Sequence, residues 1–229
     1  MTIPEKFRKS GEPALANYDF IDIAEGTGIV NYFGYAHGES AGGVLAISYG
    51  LSTDTLQTER ASQGVAEERD GATMGEATHT DMRSKIDMDF DLKFNLPKRI
   101  KGKIKVECSY GGVTATGGGN GANIFPKLLV RKWDGTTETE ITEAEGRIFA
   151  IPIDVDTNTR TIFEADVSTI QHFKKGETLR LTMQLWAQKI TNNRIIIFYH
   201  NPKNTRTDKL YPLSHSQVFK AQVPYLIDI

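Results

Sequence analysis

The chain has 229 residues, with 21 Gly, 8 Pro, 1 Cys and a formal net charge of −2. One cysteine excludes an internal disulfide framework and any multi-cysteine metal centre, and the near-zero charge argues against nucleic-acid capture by bulk attraction. No apolar run approaches the ~18 residues of a spanning helix, and the first ten residues lack a signal-peptide core, so a chain made in a cytoplasm and not exported by the general secretory route is expected, with no membrane partner.

Residues 1–17 have no periodicity and carry Pro4 and Pro13. They are expected to form an extended arm, with Phe7 a candidate for contact with a neighbouring subunit. Strands are expected at 18–24, 28–35 and 43–49. Residues 51–84 are polar and form a long excursion, conceivable as a hydrophilic hairpin. Its best helical stretch, 59–71, is interrupted by Gly64 and lacks an apolar face.

From residue 85 the alternation is regular. Ile86, Met88, Phe90, Leu92 and Phe94 share one face of 85–94, and Asp87, Asp89 and Asp91 the other. In 100–106, Ile100, Ile104 and Val106 oppose Lys101, Lys103 and Lys105. An antiparallel pair placing Lys101, Lys103 and Lys105 opposite Asp91, Asp89 and Asp87 satisfies both faces. The alternative is that Asn95-Leu96-Pro97 arches the chain into an opposite sheet. Residues 109–123 read as a flexible Gly-rich loop. Strands come next at 124–133, 147–154 and 160–167, with room for one helical turn in 165–174. The stretches 178–188, 194–200 and 219–229 complete the set. A period of two, broken by turns such as Trp133-Asp134-Gly135 and Lys174-Lys175-Gly176, marks half-buried strands. The expected fold is all-β: an antiparallel, jelly-roll-like β-sandwich in one domain, 18–229, preceded by the arm.

Catalytic signals are few. Gly38-Glu39-Ser40-Ala41-Gly42 matches the G-x-S-x-G elbow of α/β hydrolases, and Asp166 and His200 come later in triad order. Only 37 residues precede the motif, and Val44 to Gly50 after it read as strand, so a loop between two strands is the better account. Asp154-Val155-Asp156-Thr157-Asn158 imitates half a calcium loop but lacks its Gly and its final Glu, and a hairpin turn is expected instead. The histidines show no ligand spacing, so neither metal nor cofactor is expected. Cys108 is expected to be buried rather than reactive. Trp186 sits at a polar-phase position of its strand, and Ile195 to Tyr199 is apolar on both faces. Trp186 and Phe198 therefore join Phe7 as candidate interaction residues, with a second surface covering the sandwich.

Several stretches carry a resemblance. Phe173-Lys174-Lys175-Gly176-Glu177-Thr178-Leu179-Arg180-Leu181-Thr182 resembles the strand entry of viral and phage jelly-roll proteins. Residues 17–28, His200-Asn201-Pro202-Lys203-Asn204 and 223–229 are similar to small virion proteins of marine-type phage genomes. The resemblance implies a non-enzymatic virion structural protein: a capsid decoration, head-fibre or tail accessory component. It implies a homo-oligomer such as a trimer, docked on other virion proteins such as the major capsid protein, located in the virion and binding no nucleic acid directly. Two other readings stay open: a glycan- or cell-surface-binding module built on Trp186, and a serine hydrolase using Ser40.

Overall fold

The computed structural model describes residues 16–17, 27–41, 44–53, 65–69, 82–114, 121–152, 157–188, 194–200 and 219–226. In chain order the strands are β1 (Ala16–Asn17), β2 (Thr27–Ala41), β3 (Val44–Ser52), β4 (Val65–Arg69), β5 (Arg83–Lys93), β6 (Lys98–Thr114) and β7 (Ala122–Trp133). They continue as β8 (Glu138–Glu145), β9 (Phe149–Ile151), β10 (Thr157–Phe173), β11 (Thr178–Gln188), β12 (Arg194–Tyr199) and β13 (Phe219–Leu226). No helix occurs among the described residues. The all-β expectation holds.

The strands form one 13-stranded mixed sheet, ordered β4-β12-β6-β13-β2-β3-β5-β11-β7-β8. β10 adds to β6, β9 to β7 and β1 to β2. Every described pairing is antiparallel except β3 with β5, where Tyr49 meets Phe90 and Gly50 meets Asp91. β6 is the hub. One edge pairs with β10 along its length, and the other with β13 and then β12.

Alternation sets the core. Ile104, Val106, Cys108 and Tyr110 of β6 turn inward, as do Leu179, Leu181, Met183 and Leu185 of β11. The apolar residues of β5, β7 and β13 join the same cluster, and Phe90 packs on Phe219 with ring centroids 4.4 Å apart. β12 is buried on both faces, as its all-apolar run predicts. Phe198 lies within the core, 5.9 Å from the Phe219 ring. Each such side chain contributes about 1.5–3 kcal/mol through burial.

The expected β5–β6 ladder does not exist. β5 pairs with β11, so Asp91, Asp89 and Asp87 meet Arg180, Thr182 and Gln184. β6 pairs with β10, and Lys103 reaches Glu164 at 2.9 Å. The cause sits at Phe94. Its N–H donates to the Glu177 carbonyl at 2.9 Å, and its carbonyl accepts from the Gly176 N–H at 2.8 Å. That extends the β5–β11 ladder to its end. The Phe94 ring then packs on Phe173 and Tyr225, from the β10 and β13 side, while Asn95-Leu96-Pro97 arches across. Alternation alone fixes which face a residue takes, not which strand lies beside it.

Other boundaries differ as well. The stretch 165–174 is strand to Phe173, with a register shift between Val167 and Gln171 in place of a helical turn. The Gly-rich segment is strand as far as Thr114 and again from Ala122. β4 arises inside the polar excursion and β8 from a Glu/Thr run, neither of which alternates apolar with polar. Of the arm, Ala16 and Asn17 pair with Val30 and Ile29 of the same chain. Phe7 and the strand expected at 18–24 lie outside the described residues, as do 153–156 within the calcium-like motif. β9 and β10, on either side of that motif, pair with different strands, so no hairpin joins them.

Gly111 is where β10 begins its run along β6. A Cβ there would overlap the Thr157 carbonyl and lie 2.7 Å from Asn158 Cα. Gly135, by contrast, holds φ of 105° with open space around it. Gly111→Ala is expected to cost about 3 kcal/mol in urea unfolding, through overpacking against backbone. Gly135→Ala is expected to cost about 1 kcal/mol, through its dihedral alone. Equal costs would contradict this account.

Candidate ligand groove

Two outer faces carry the polar chemistry. The first spans β5, β11, β7 and β8. Arg180 grips Asp91 through Nε and Nη2 at 2.7 and 2.8 Å, and its Nη1 reaches Glu138 at 3.0 Å. Arg131 also holds Glu138, at 2.6 Å. The Thr182 hydroxyl donates to Asp89 at 2.6 Å, and Gln184 Nε2 to Asp87 at 2.8 Å. The Trp186 indole donates to Gln184 Oε1 at 2.9 Å and stacks on Phe125 with ring centroids 6.3 Å apart. Trp186 is thus half-buried and engaged on edge and face. The Arg180 guanidinium is held charged by its hydrogen bonds to Asp91, with Asp89 and Glu138 adding to the field. Each of these groups already has a partner within the face.

The second face spans β13, β6 and β10. Register brings Lys220 and Ile162 to opposite sides of Glu107, and Gln222 and Glu164 to opposite sides of Lys105. Lys105, Glu107, Ile162, Lys220 and Gln222 line one depression. Beyond Ile162 it meets a cleft of about 730 Å³ between β10 and the chain at 147–150. Arg147, Ile148, Phe149, Arg160, Ile162 and Tyr110 line that cleft. Clefts of ~300–1,000 Å³ are the size that holds ligands.

The cleft exists because the strand beside β7 is broken. β8 ends at Glu145, and β9 resumes on β7 at Phe149. At the break, the Gly146 N–H donates to the Pro126 carbonyl at 2.8 Å. A Cβ on Gly146 would meet Pro126 Cγ at 2.6 Å, so only glycine fits. Arg147 and Ile148 are then pushed outward. The buried Tyr110 hydroxyl donates to the Arg147 carbonyl at 3.0 Å and fixes the bulge. Burial raises the Tyr110 phenol pKa, with Cys108 reinforcing and Arg147 opposing, so it stays a donor.

The groove is cationic and apolar together. Ile148 is 57% exposed and Ile162 56%. Arg160 pairs with Glu107, and Lys105 shares Glu164 with Lys103. The Arg147 guanidinium has no ion pair among the described residues. Sequence reasoning passed over Ile162 and Ile148. The available signal was Ile162 standing between Arg160 and Glu164 at a polar-phase position.

The other candidates come apart. Ser40 pairs with Leu45 in a hairpin that closes at Ala41 and Val44, so no strand-to-helix elbow forms. Asp166 lies exposed on β10 opposite Lys103, whereas His200 is buried, edge-on to Tyr49 at 5.3 Å. Cys108 is wholly buried, and burial pushes its thiol pKa well up. Among the described residues no three His, Cys, Asp or Glu side chains converge as metal ligands.

The paired groups generate two tests. Arg180→Met leaves Asp89, Asp91 and Glu138 facing one another; a loss of about 2 kcal/mol in urea unfolding is expected. Glu177 is pushed up by burial, but the Lys132 ammonium at 2.6 Å and the Lys174 N–H at 2.7 Å prevail and hold it below its usual value. A carboxylate with a lowered folded-state pKa stabilises fully at neutral pH, and the stabilisation fades as pH falls below about 4. The melting-temperature gap between wild type and Glu177→Gln is expected to close between pH 6 and pH 3. A gap that is constant with pH would contradict this assignment.

No family model matches the chain, and no curated protein matches it. Solved structures do. A CocE/NonD family hydrolase from Staphylococcus aureus is 9% identical with a TM-score of 0.43, over 85% of this chain and 36% of its own. An α-amino acid ester hydrolase is 14% identical with a TM-score of 0.43, over 84% of this chain and 36% of its own. Infectious bursal disease virus, Gt strain, is 7% identical with a TM-score of 0.27, over 83% of this chain and 40% of that one. The chain thus spans about two fifths or less of the length of these proteins. The expectation of a non-enzymatic virion assembly protein is corrected here: the two hydrolases match with TM-scores of 0.43, against 0.27 for the viral structure. At these TM-scores neither likeness transfers an activity, a location or a residue role to this chain.

Proposed function

We propose that the chain is a β-domain that captures an anionic ligand on its β13–β6–β10 face and in the adjoining cleft. The observation that carries this reading is the continuity of the groove. Arg147 and Lys220, which have no ion pair among the described residues, stand at its two halves, Arg160 and Lys105 lie between them paired with Glu107 and Glu164, and Ile162 is common to both halves. Cations beside apolar side chains suit a ligand that brings negative charge and some apolar surface. The opposite acidic face is a poorer candidate, since Asp87, Asp89 and Asp91 are each bonded within the sheet.

The scaffold in this proposal is a sheet wrapped on itself as a jelly-roll-like sandwich. Two features support the wrapping. The inward residues of β12 and β7, near opposite ends of the strand order, join one core, and β10 packs beside β8 although the two share no ladder.

The test uses a fluorescein-labelled oligoacrylate, which carries carboxylates but no peptide groups. Fluorescence anisotropy is expected to report saturable binding that weakens as salt rises from 50 to 300 mM. The double variant Arg147→Glu/Lys220→Glu is expected to bind about tenfold more weakly, equivalent to about 1.4 kcal/mol. Binding unchanged by this variant would overturn the reading.

A further inference from the structure

We propose that the ligand of this groove is an extended acidic peptide that adds as a strand to the outer edge of β10. The proposal rests on the anion-capturing reading above and specifies its ligand. β10 is a 17-residue strand, and among the described strands it pairs only with β6. In an extended strand, alternate residues direct both N–H and C=O toward the same edge. From Thr159 to Ile162, that edge runs along the cleft. An edge of this kind is a template for another chain unless something blunts it.

This stretch holds no proline, its one charged residue, Arg160, is paired with Glu107, and Ile162 stands exposed. On the far wall, the chain leaves the β7 ladder after Glu145, and Arg147 and Ile148 line the cleft across from β10. At its closed end the cleft is stopped by Phe163, whose ring would lie 3.2 Å from a Cβ on Gly146. Beyond that point β10 packs beside β8, and no strand can enter.

The side-chain chemistry selects the guest. A strand beside β10 presents its residues alternately outward and into the cleft. Outward residues pass Arg160 and Ile162. Inward residues pass Phe149 and Ile148, with Arg147 at the mouth. Carboxylates alternating with β-branched apolar residues match both rows. Backbone pairing supplies affinity, and the arginines fix the register, because a one-residue slip exchanges the two faces.

The probe is a fluorescein-labelled octapeptide in which Glu alternates with Val and Thr, used with the full chain. Two further versions carry N-methyl groups on odd or on even residues, and a fourth replaces Glu by Gln. If the proposal holds, the parent binds and Arg147→Glu weakens it about tenfold. One N-methylated phase loses at least tenfold while the other binds nearly as well as the parent. The Gln peptide binds more weakly than the parent. If both N-methylated phases bind like the parent, strand addition is overturned while anion capture stands. Equal binding of the Gln peptide overturns the acidic selectivity. If neither the peptides nor oligoacrylate bind, both readings fall together. Gly146→Ala, checked by circular dichroism for folding, is a second variant. It is expected to weaken the parent peptide at unchanged oligoacrylate affinity, and an unchanged peptide affinity would overturn the role given to the bulge.

Discussion

β6 has hydrogen-bonded neighbours on both edges along nearly its whole length, and the rest of the molecule is arranged around that fact. Its inward residues, Ile100 to Tyr110, share one buried core with those of β11 and β5. One edge must accept β13 and β12 in succession, and the other must accept all of β10. Close approach at the start of β10 demands Gly111, since any side chain would strike the β10 backbone. The outward residues of β6 fall between those of β10 and β13. The charge pattern of one strand thereby becomes the floor of the groove.

The two outer faces differ in how fully their charges are spent. On the β5–β11–β7–β8 face, one arginine serves Asp91, Asp89 and Glu138, a threonine adds a second bond to Asp89, and a glutamine holds Asp87. Such a face stiffens the sheet and leaves little for a ligand to gain, because binding would first have to break charge-assisted bonds. On the β13–β6–β10 face the cations exceed the carboxylates along the groove, and two isoleucines are left to water. Polar satisfaction on one side and surplus on the other separates scaffold from candidate site.

The strands with strict alternation, β5, β6, β11 and β13, were legible from their residues, and so was the full burial of β12. Each repeats a two-residue period through several apolar positions, and burial results from that directly. Pairing was not legible. Lys103 had equally good acidic partners on two strands, and the ladder of β5 with β11, carried on by the backbone bonds of Phe94 to the 176–177 turn, excludes β5. β4 and β8 escaped notice because Val65–Arg69 and Glu138–Glu145 carry few apolar residues; each is a strand because its neighbour offers an edge. The groove was hidden for a related reason. It is assembled from β6, β10, β13 and a bulge, which are distant in sequence, and its clue is a single isoleucine out of phase. Trp186, the conspicuous outward aromatic, proves to be tied to Phe125 and Gln184.

The most direct measurement is a 15N-edited NMR titration of the full chain with the acidic octapeptide. The account predicts that shifted amides cluster at Arg147 to Ala150, at Thr159 to Ile162 and beside Lys105 and Lys220, with alternate β10 amides gaining protection from exchange. Shifts centred on Asp87, Asp89 and Arg180, or no change along β10 at saturation, would contradict it.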